Sequence, residues 1–302
     1  MDLLEQPIIY LGKRDLSFKE LIMSLLERGN LKPKYIDLLT SDKNMKLYDQ
    51  AFTATSANSE VNYQNMEQVG DLSANKFIVS YTYKRFPQID CPKGLKIAAR
   101  LRINYGSKQS FYTIADDLGF WQYISASEEN RLHDKKKLLE DSLESFLGCT
   151  EQILDNKYRP GVGYGIVYDI LTNIFDKIHI SLDYYDLYDA KTKLKELYDK
   201  FKQLGTIAYV NNRKDKLAES SVYQVPVYVK ISNNDPRIQP IKVLISESEY
   251  INKPQTNWVL LGSGKAAIKA DAEQKAAKQG IITMKKKGYE KPIPEEYTLF
   301  CD

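Results

Sequence analysis

The chain has 302 residues, of which 43% are apolar and 27% are charged, as in soluble globular proteins with one or two domains. No window approaches the roughly 20 apolar residues of a transmembrane helix, and the first residues lack the basic leader and apolar run of a secretory signal. The three cysteines, Cys91, Cys149 and Cys301, lie far apart without a CxxC pair, which predicts a reducing, cytoplasmic location and no zinc site. Because His133 and His179 are the only histidines, we expect carboxylates to carry any chemistry.

The charge differs between the two parts of the sequence. Residues 1–187 hold 23 Lys and Arg against 26 Asp and Glu, whereas residues 188–302 hold 20 against 14. The net charge of +3 therefore combines an acidic first part with a basic second part. This division suggests a metal-using or catalytic part followed by an anion-binding part, although ordinary variation between two domains explains it equally well.

Residues 18–175 show the 3.6-residue apolar period of amphipathic helices and little two-residue alternation. The segments with this period are FKELIMSLLERGN, NMKLYDQAFT, NMEQVGDLSANKFIVSYTYKRF, LKIAARLRINYG, KKKLLEDSLESFLGCTEQIL and GIVYDILTNIFDKI. Gly29 and Asn30 form a helix-stop signal after the first of them, and Pro87 ends the third. The sequence therefore predicts an all-α domain over residues 1–180, with a connector at residues 178–188.

The second part of the chain changes period. A helical segment, DAKTKLKELYDKFKQLG, precedes three β-rich runs, VYQVPVYVKIS, IKVLISESEY and NWVLLGSG, and an Ala-rich helical segment follows them. Pro226 makes the first run an edge strand or gives it a bulge. This order predicts a compact α+β domain, α-β-β-β-α, over residues 188–288, and leaves residues 289–302 as a C-terminal tail.

Two pairs of carboxylates occur at helical spacing. Glu67 and Asp71 stand four residues apart in YQNMEQVGDLSANKF, and Asp141 and Glu144 stand three apart in LLEDSLESFLGC. Residues three or four apart share one face of a helix, so two such helices could bring four acids to one site. Carboxylates collected without an interposed Lys or Arg are the expected ligands of Mg²⁺. On spacing alone, however, a solvated helix face with salt bridges from residues 135–137 explains these pairs better.

The residues around both pairs favour the metal site over the solvated face, because the sequence resembles the ribonuclease III family. QNMEQVGDLSANKFIVSYTYKRFP looks like the signature helix of that family, with its E-x-x-G-D core, and LLEDSLESFLG looks like its D-x-x-E helix. LYDQAFTATSAN is similar to the leucine-rich helix and the turn that follows it, and AARLRINYGSKQSFYTIADDLGFWQYI to the arginine-bearing and IA-x-x-LG helices. Four motifs in the right order cover most of residues 18–178.

The resemblance implies a metal-dependent endoribonuclease. Glu67, Asp71, Asp141 and Glu144 would hold one or two Mg²⁺ ions, with Mn²⁺ as a substitute, and the metal would activate water for in-line attack on a phosphodiester. The implied substrate is double-stranded RNA, the products carry 5′-phosphate and 3′-hydroxyl ends, and a homodimer places one site against each strand. Neither a small-molecule cofactor nor a membrane is expected.

Residues 188–288 resemble the double-stranded RNA-binding domain that follows the nuclease domain in this family. DAKTKLKELYDK is similar to its first helix and GSGKAAIKADAEQKAAKQG to its last. The resemblance implies that Lys195 and Glu196 face a minor groove and that Lys265 and Lys269 meet phosphates. Arg237 is the basic residue in NNDPRIQP, a loop that lacks the usual Gly-Pro-x-His pattern.

The sequence departs from the family pattern at several positions, and these departures are compatible with a second function. Gln68 replaces an aromatic residue used in the homodimer contact, Leu72 replaces a small residue, and Ala270 replaces the second lysine of the last helix. The alternative is a catalytically inactive double-stranded-RNA-binding protein, either ribosome-associated or RNA-sequestering. The four retained carboxylates favour the enzyme, because a pure binder has no evident use for acids near RNA phosphates.

Overall fold

The computed structural model describes residues 7–204, 207–209, 223–230, 258–266 and 268–300. The chain divides into two compact units, Met1–Ser181 and Leu182–Asp302. The division lies inside the segment that the sequence predicts as a connector. In the part of the chain that the structure describes, no helix combines the length and the apolar character needed to cross a membrane.

The first unit is mostly helical, and its helices confirm the helical period of residues 18–175. They are α1 (Leu16–Glu27), α2 (Pro33–Leu39), α3 (Asp42–Ala51), α4 (Gln64–Arg85), α5 (Leu95–Tyr105), α6 (Lys108–Asp117), α7 (Glu128–His133), α8 (Lys135–Lys157) and α9 (Val162–Phe175). Local signals set several of their ends. Asp15 caps α1 by accepting a hydrogen bond from the backbone N–H of Ser17, and Asn30 adopts a positive φ of 54° beyond its other end.

Helices α4 and α8 form the centre of this unit and make its most extensive helix–helix contact. Side chains are buried on nearly every side of α8 between Leu138 and Leu154, so other helices surround it. Helix α4 ends at Arg85, since Pro87 follows. The Arg85 guanidinium donates to the carbonyl oxygen of Phe175 at 2.8 Å, which links the end of α4 to the end of α9.

One feature of the first unit departs from the all-α prediction. Two short strands, β1 (Ile9–Tyr10) and β2 (Ala126–Ser127), pair antiparallel with Ile9 opposite Ser127. Strands of two residues cannot show a two-residue apolar alternation, so no local pattern predicts them. The predicted all-α domain is therefore corrected to a helical domain with one small strand pair.

The second unit combines helices with an antiparallel sheet. Its helices are α10 (Tyr184–Leu187), α11 (Ala190–Lys200), α12 (Lys269–Lys286) and α13 (Glu295–Thr298). The described strands are β3 (Ile207–Tyr209), β4 (Tyr223–Lys230) and β5 (Trp258–Ala266), in the sheet order β3-β4-β5. Strands β4 and β5 confirm two of the predicted runs, β3 was not predicted, and the predicted run at residues 241–250 lies outside the described residues.

Side chains of α12 protect the outer edge of β5. Thr283 donates to the carbonyl oxygen of Leu261 at 2.8 Å, and the side-chain oxygen of Gln279 accepts from the backbone N–H of Ser263 at 3.0 Å. Lys275 donates to the carbonyl oxygen of Lys265 at 3.0 Å. These bonds satisfy backbone groups that an edge strand otherwise exposes to pairing with another chain.

The segments at both ends of the second unit pack against the rest of that unit. Asp183 caps α10 within the predicted connector by accepting from the backbone N–H of Tyr185 at 2.6 Å. Tyr289 and Tyr297, which fall in the predicted tail, are each 1% exposed. The ring centroid of Tyr297 lies 5.4 Å from that of Tyr184 in an edge-to-face arrangement. The core of this unit therefore includes residues beyond position 288.

Candidate functional site

Two glycines bring the backbones of α4 and α8 together. A Cβ atom on Gly70 would overlap the carbonyl oxygen of Glu144, and a Cβ atom on Gly148 would overlap that of Met66. Helices with larger residues at a crossing stay about 8–10 Å apart, whereas glycine at both positions allows direct backbone contact. The E-x-x-G-D segment thus places Glu67 and Asp71 on either side of the crossing, opposite the acids of α8.

Three of the four predicted carboxylates lie close together at the crossing. Glu67, Asp141 and Glu144 each offer one carboxylate oxygen, and these oxygens all lie within 4.8 Å of one another. Asp141 and Glu144 are buried, at 3% and 7% exposure. Asp71 lies outside this group, because its Oδ1 accepts a hydrogen bond from the Nδ2 of Asn75 at 2.7 Å. We refer to Glu67, Asp141 and Glu144 as the acid cluster.

The acid cluster is electrostatically unfavourable by itself. Burial raises the pKa of Glu144 to about 9, and the charge of Asp71 is the next largest contribution, so the fourth carboxylate still acts on the cluster. Burial and the charge of Asp141 also raise the pKa of Glu67. The acid cluster is therefore stabilised when one of its carboxylates binds a proton or when the cluster binds a cation. Three carboxylates are hard oxygen donors, and this donor set fits Mg²⁺ or Mn²⁺.

Asp141 has two further partners, Tyr63, which the sequence did not predict, and Lys137, which belongs to the salt-bridge alternative weighed from the sequence. Tyr63 donates from its hydroxyl to the Oδ2 of Asp141 at 2.7 Å, and the Nζ of Lys137 lies 3.1 Å from the same oxygen. The prediction of four acids without an interposed Lys is therefore corrected, since Lys137 pairs with Asp141 from one turn earlier on α8. This pair agrees with the alternative of salt bridges from residues 135–137, although Asp141 itself is buried and not on a solvated face.

Comparison with known proteins identifies the family. A family model described as the Ribonuclease III domain matches residues 64–151. A ribonuclease 3 homologue from Invertebrate iridescent virus 6 is 35% identical over 311 residues, which cover 98% of this chain and 97% of that protein. The chain belongs to the ribonuclease III family.

Other relatives match over shorter stretches. A ribonuclease 3 homologue from Frog virus 3 (isolate Goorha) is 44% identical over 189 residues, covering 62% of this chain and half of that protein. Among solved structures, the nuclease domain of ribonuclease III from Campylobacter jejuni aligns with a TM-score of 0.40 at 23% identity, covering 53% of this chain and 99% of that one. The family assignment rests on the match to the Invertebrate iridescent virus 6 relative.

The region matched by the Ribonuclease III domain model begins at the first residue of α4 and extends into α8. It therefore includes the acid cluster, Asp71 and both glycines of the crossing. The positions at which this chain departs from the ribonuclease III signature lie on the outer face of α4. Gln68 is exposed there, and Leu72, one turn later, is 71% exposed.

The predicted RNA-binding residues of the second unit have different surroundings. Lys195 on α11 and Lys265 on β5 are exposed, and Lys269 is exposed at the start of α12 with its Nζ 3.8 Å from Glu273. Glu196 instead accepts from the hydroxyl of Tyr184 at 2.7 Å and from the Nζ of Lys291 at 2.5 Å. Arg237 lies outside the described residues.

Sequence reasoning missed Tyr63, Asn75 and the partners of Glu196. Tyr63 reaches Asp141 across 78 positions of the chain, so no local pattern connects them. Asn75 follows Asp71 at i,i+4 on α4, which is a spacing that allows a side-chain hydrogen bond but does not identify one. Lys291 is 95 positions from Glu196 and falls in the predicted tail.

Proposed function

We propose that this member of the ribonuclease III family is a divalent-cation-dependent endoribonuclease that cleaves double-stranded RNA and leaves 5′-phosphate and 3′-hydroxyl ends. The observation that carries the proposal is the acid cluster, which lies at the α4–α8 crossing inside the region matched by the Ribonuclease III domain model. Two buried carboxylates and a half-buried one, with oxygens within 4.8 Å of one another, are costly in a protein that has no use for a cation.

Glu67, Asp141 and Glu144 would hold the cation, and Asp71 lies close enough to contribute its charge. Bound Mg²⁺ supplies Lewis-acid chemistry, lowering the pKa of water and stabilising the leaving 3′-oxygen. The protein itself collects the oxygen donors and keeps two of them out of bulk water. Lys137 offsets part of the negative charge and also offers a cationic group to an approaching phosphodiester.

The second unit supports the choice of substrate. Its helix α12 packs on strands β4 and β5 and also contacts α11, as expected for a double-stranded RNA-binding domain, and Lys195, Lys265 and Lys269 are exposed on this unit. Such domains recognise the shape, phosphates and 2′-hydroxyls of A-form RNA rather than its sequence. Because Glu196 is held by Tyr184 and Lys291, we assign it to the packing of this unit and expect Lys195 to be the contact on α11.

The cleavage assay uses the full chain and a long, end-labelled RNA duplex in Mg²⁺. Parallel reactions contain the Glu144→Gln variant, Ca²⁺ in place of Mg²⁺, a chelator, or single-stranded RNA of the same sequence. We expect short duplex products only from the unchanged protein with duplex and Mg²⁺. An RNA ligase should join these products without prior phosphorylation, since their 5′ ends carry phosphate.

The same assay tests the alternative function. Intact duplex in every reaction, together with a gel shift that persists in chelator, would contradict the enzymatic function and support an RNA-binding protein without catalytic activity. Cleavage of single-stranded RNA at an equal rate would contradict the proposed substrate. Cleavage by Glu144→Gln at the rate of the unchanged protein would contradict the role of the acid cluster.

A further inference from the structure

We propose that Tyr63 is a positioning residue that fixes the Asp141 carboxylate for cation binding. The inference rests on the proposed function, because it assigns a supporting residue to the same acid cluster. Tyr63 immediately precedes α4, and its hydroxyl reaches across to α8, where it donates to the Oδ2 of Asp141 at 2.7 Å. Both residues are buried, with Tyr63 at 4% and Asp141 at 3% exposure.

A carboxylate rotates easily about its last side-chain torsion, so its orientation depends on its hydrogen bonds. The Oδ2 of Asp141 accepts from the Tyr63 hydroxyl and from the Lys137 Nζ. With Oδ2 held by two donors, Oδ1 is the Asp141 oxygen that remains for a cation. The two donors therefore decide which oxygen of Asp141 faces the ligand site.

The two donors differ in how firmly they hold Asp141. Lys137 is a flexible side chain, 55% exposed, and its positive charge opposes the approach of a cation. Tyr63 is a rigid ring, buried in the core of the first unit, and its neutral hydroxyl orients the carboxylate without repelling a cation. Hydrogen-bond partners behind metal ligands typically change metal affinity by about 10- to 100-fold when they are removed.

Helix α4 contains a matched control for this bond. Tyr81 is also 4% exposed, and its hydroxyl donates to the Oδ1 of Asp176 at 2.7 Å. Tyr81 lies near the other end of the helix, and Asp176 is not part of the acid cluster. Tyr63→Phe and Tyr81→Phe therefore each remove the Tyr–Asp hydrogen bond of a buried tyrosine, one at the cluster and one away from it. Asp176 is exposed, and the Tyr81 hydroxyl also accepts from the Arg85 guanidinium at 2.8 Å, so Tyr81→Phe is the more disruptive of the two for local packing.

The experiment measures Mn²⁺ binding to the full chain by electron paramagnetic resonance of the free ion, which needs no catalysis. We expect Tyr63→Phe to weaken Mn²⁺ binding by about 10- to 100-fold and Tyr81→Phe by less than about twofold. In cleavage assays, excess Mg²⁺ should restore the rate of Tyr63→Phe, because that variant keeps all its metal ligands. Far-UV circular dichroism of each variant verifies that it is folded.

A double-mutant cycle shows whether Tyr63 acts through Asp141. In an Asp141→Ala background, Tyr63→Phe should change Mn²⁺ binding by less than about twofold, because the side chain that the Tyr63 hydroxyl orients is gone.

Three results would overturn the inference. Unchanged Mn²⁺ affinity in Tyr63→Phe would leave the proposed function standing and remove the role of Tyr63. Equal losses of Mn²⁺ affinity in Tyr63→Phe and Tyr81→Phe would show that both hydrogen bonds act only through general packing. Absence of Mn²⁺ binding to the unchanged protein would instead refute the cation site of the proposed function, and this inference with it.

Discussion

Glu144 illustrates at the scale of one residue how function and stability oppose each other in the acid cluster. Burial raises its pKa to about 9, with further contributions from Asp71, Glu140, Asp141 and Glu67. At neutral pH the cation-free protein must therefore either keep a proton on Glu144 or bury its charge at a cost. A divalent cation removes this conflict, because it favours the charged form.

We expect the stability of the protein in chelator to fall as pH rises from about 4.5 to about 9. The pKa of Glu144 is higher in the folded state, so the protonated side chain stabilises folding at low pH and this contribution is lost towards pH 9. The loss approaches roughly 1.4 kcal/mol per pH unit for one such group. Glu144→Gln should make this decline shallower, as measured by urea unfolding at pH 5, 7 and 9.

The control for this measurement is Glu20→Gln, because Glu20 is an exposed carboxylate on α1. It should leave the dependence of stability on pH unchanged. Equal slopes of the unfolding free energy against pH for the unchanged protein and for Glu144→Gln would show that Glu144 is not the source of this pH dependence.

At the scale of elements, the crossing of α4 and α8 decides where the carboxylates meet. The apolar period and the E-x-x-G-D and D-x-x-E patterns predicted both helices and all three members of the acid cluster. The hydrogen bond from Asn75 to Asp71 could not be predicted, because it depends on side-chain geometry within one turn. Strand β3 and the β1–β2 pair were missed because runs of two or three residues carry no periodic signal.

We predict that Gly70→Ala destabilises the protein by roughly 3 kcal/mol, since the added methyl group meets the backbone of α8 and not a movable side chain. Gly165→Ala is the matched control, because Gly165 is also helical, on α9, but a Cβ there meets nothing within 4 Å. That change should stabilise the protein by up to about 1 kcal/mol through helix propensity. Denaturant unfolding of both variants measures the difference.

Similar effects of the two alanines would contradict the close crossing of α4 and α8. If the crossing sets the acid cluster, Gly70→Ala should also weaken Mn²⁺ binding, whereas Gly165→Ala should leave it unchanged.

At the scale of the whole molecule, the family assignment and the change from a helical first part to a second part with strands were accessible from sequence, whereas the packing of the C-terminal residues was not. Tyr289 and Tyr297 are separated by a polar, Pro-containing segment without an apolar period, which is typical of a tail. Tyr297 packs against the ring of Tyr184 on α10, and Tyr289 packs against the ring of Phe201 after α11. Lys291 has Glu196 of α11 as its partner. Contacts between such distant positions leave no trace in a local pattern.

We predict that the protein is a homodimer and that the outer face of α4 contributes to its interface. Leu72 is a large apolar side chain that is 71% exposed on the outer face of α4. One turn earlier on the same helix, Gln68 stands where the family pattern has an aromatic residue. Leu72→Asp should weaken self-association at least about 10-fold by placing a charge in an apolar contact. Analytical ultracentrifugation measures this change.

Leu132→Asp provides the comparison, since Leu132 is 78% exposed but lies on α7. It should leave the dimer unchanged. A protein that is monomeric before any substitution, or one in which both variants behave alike, would contradict the assignment of this face.

The central claim is that Glu67, Asp141 and Glu144 bind a divalent cation, and titration calorimetry of Mg²⁺ into the full chain at pH 7.5 tests it most directly. We expect binding accompanied by proton release, seen as a heat that changes with the ionisation enthalpy of the buffer, because Glu144 has a pKa of about 9 before binding. Glu144→Gln should bind more weakly and release fewer protons. Absence of Mg²⁺ binding, or identical binding and proton release in both proteins, would contradict the account.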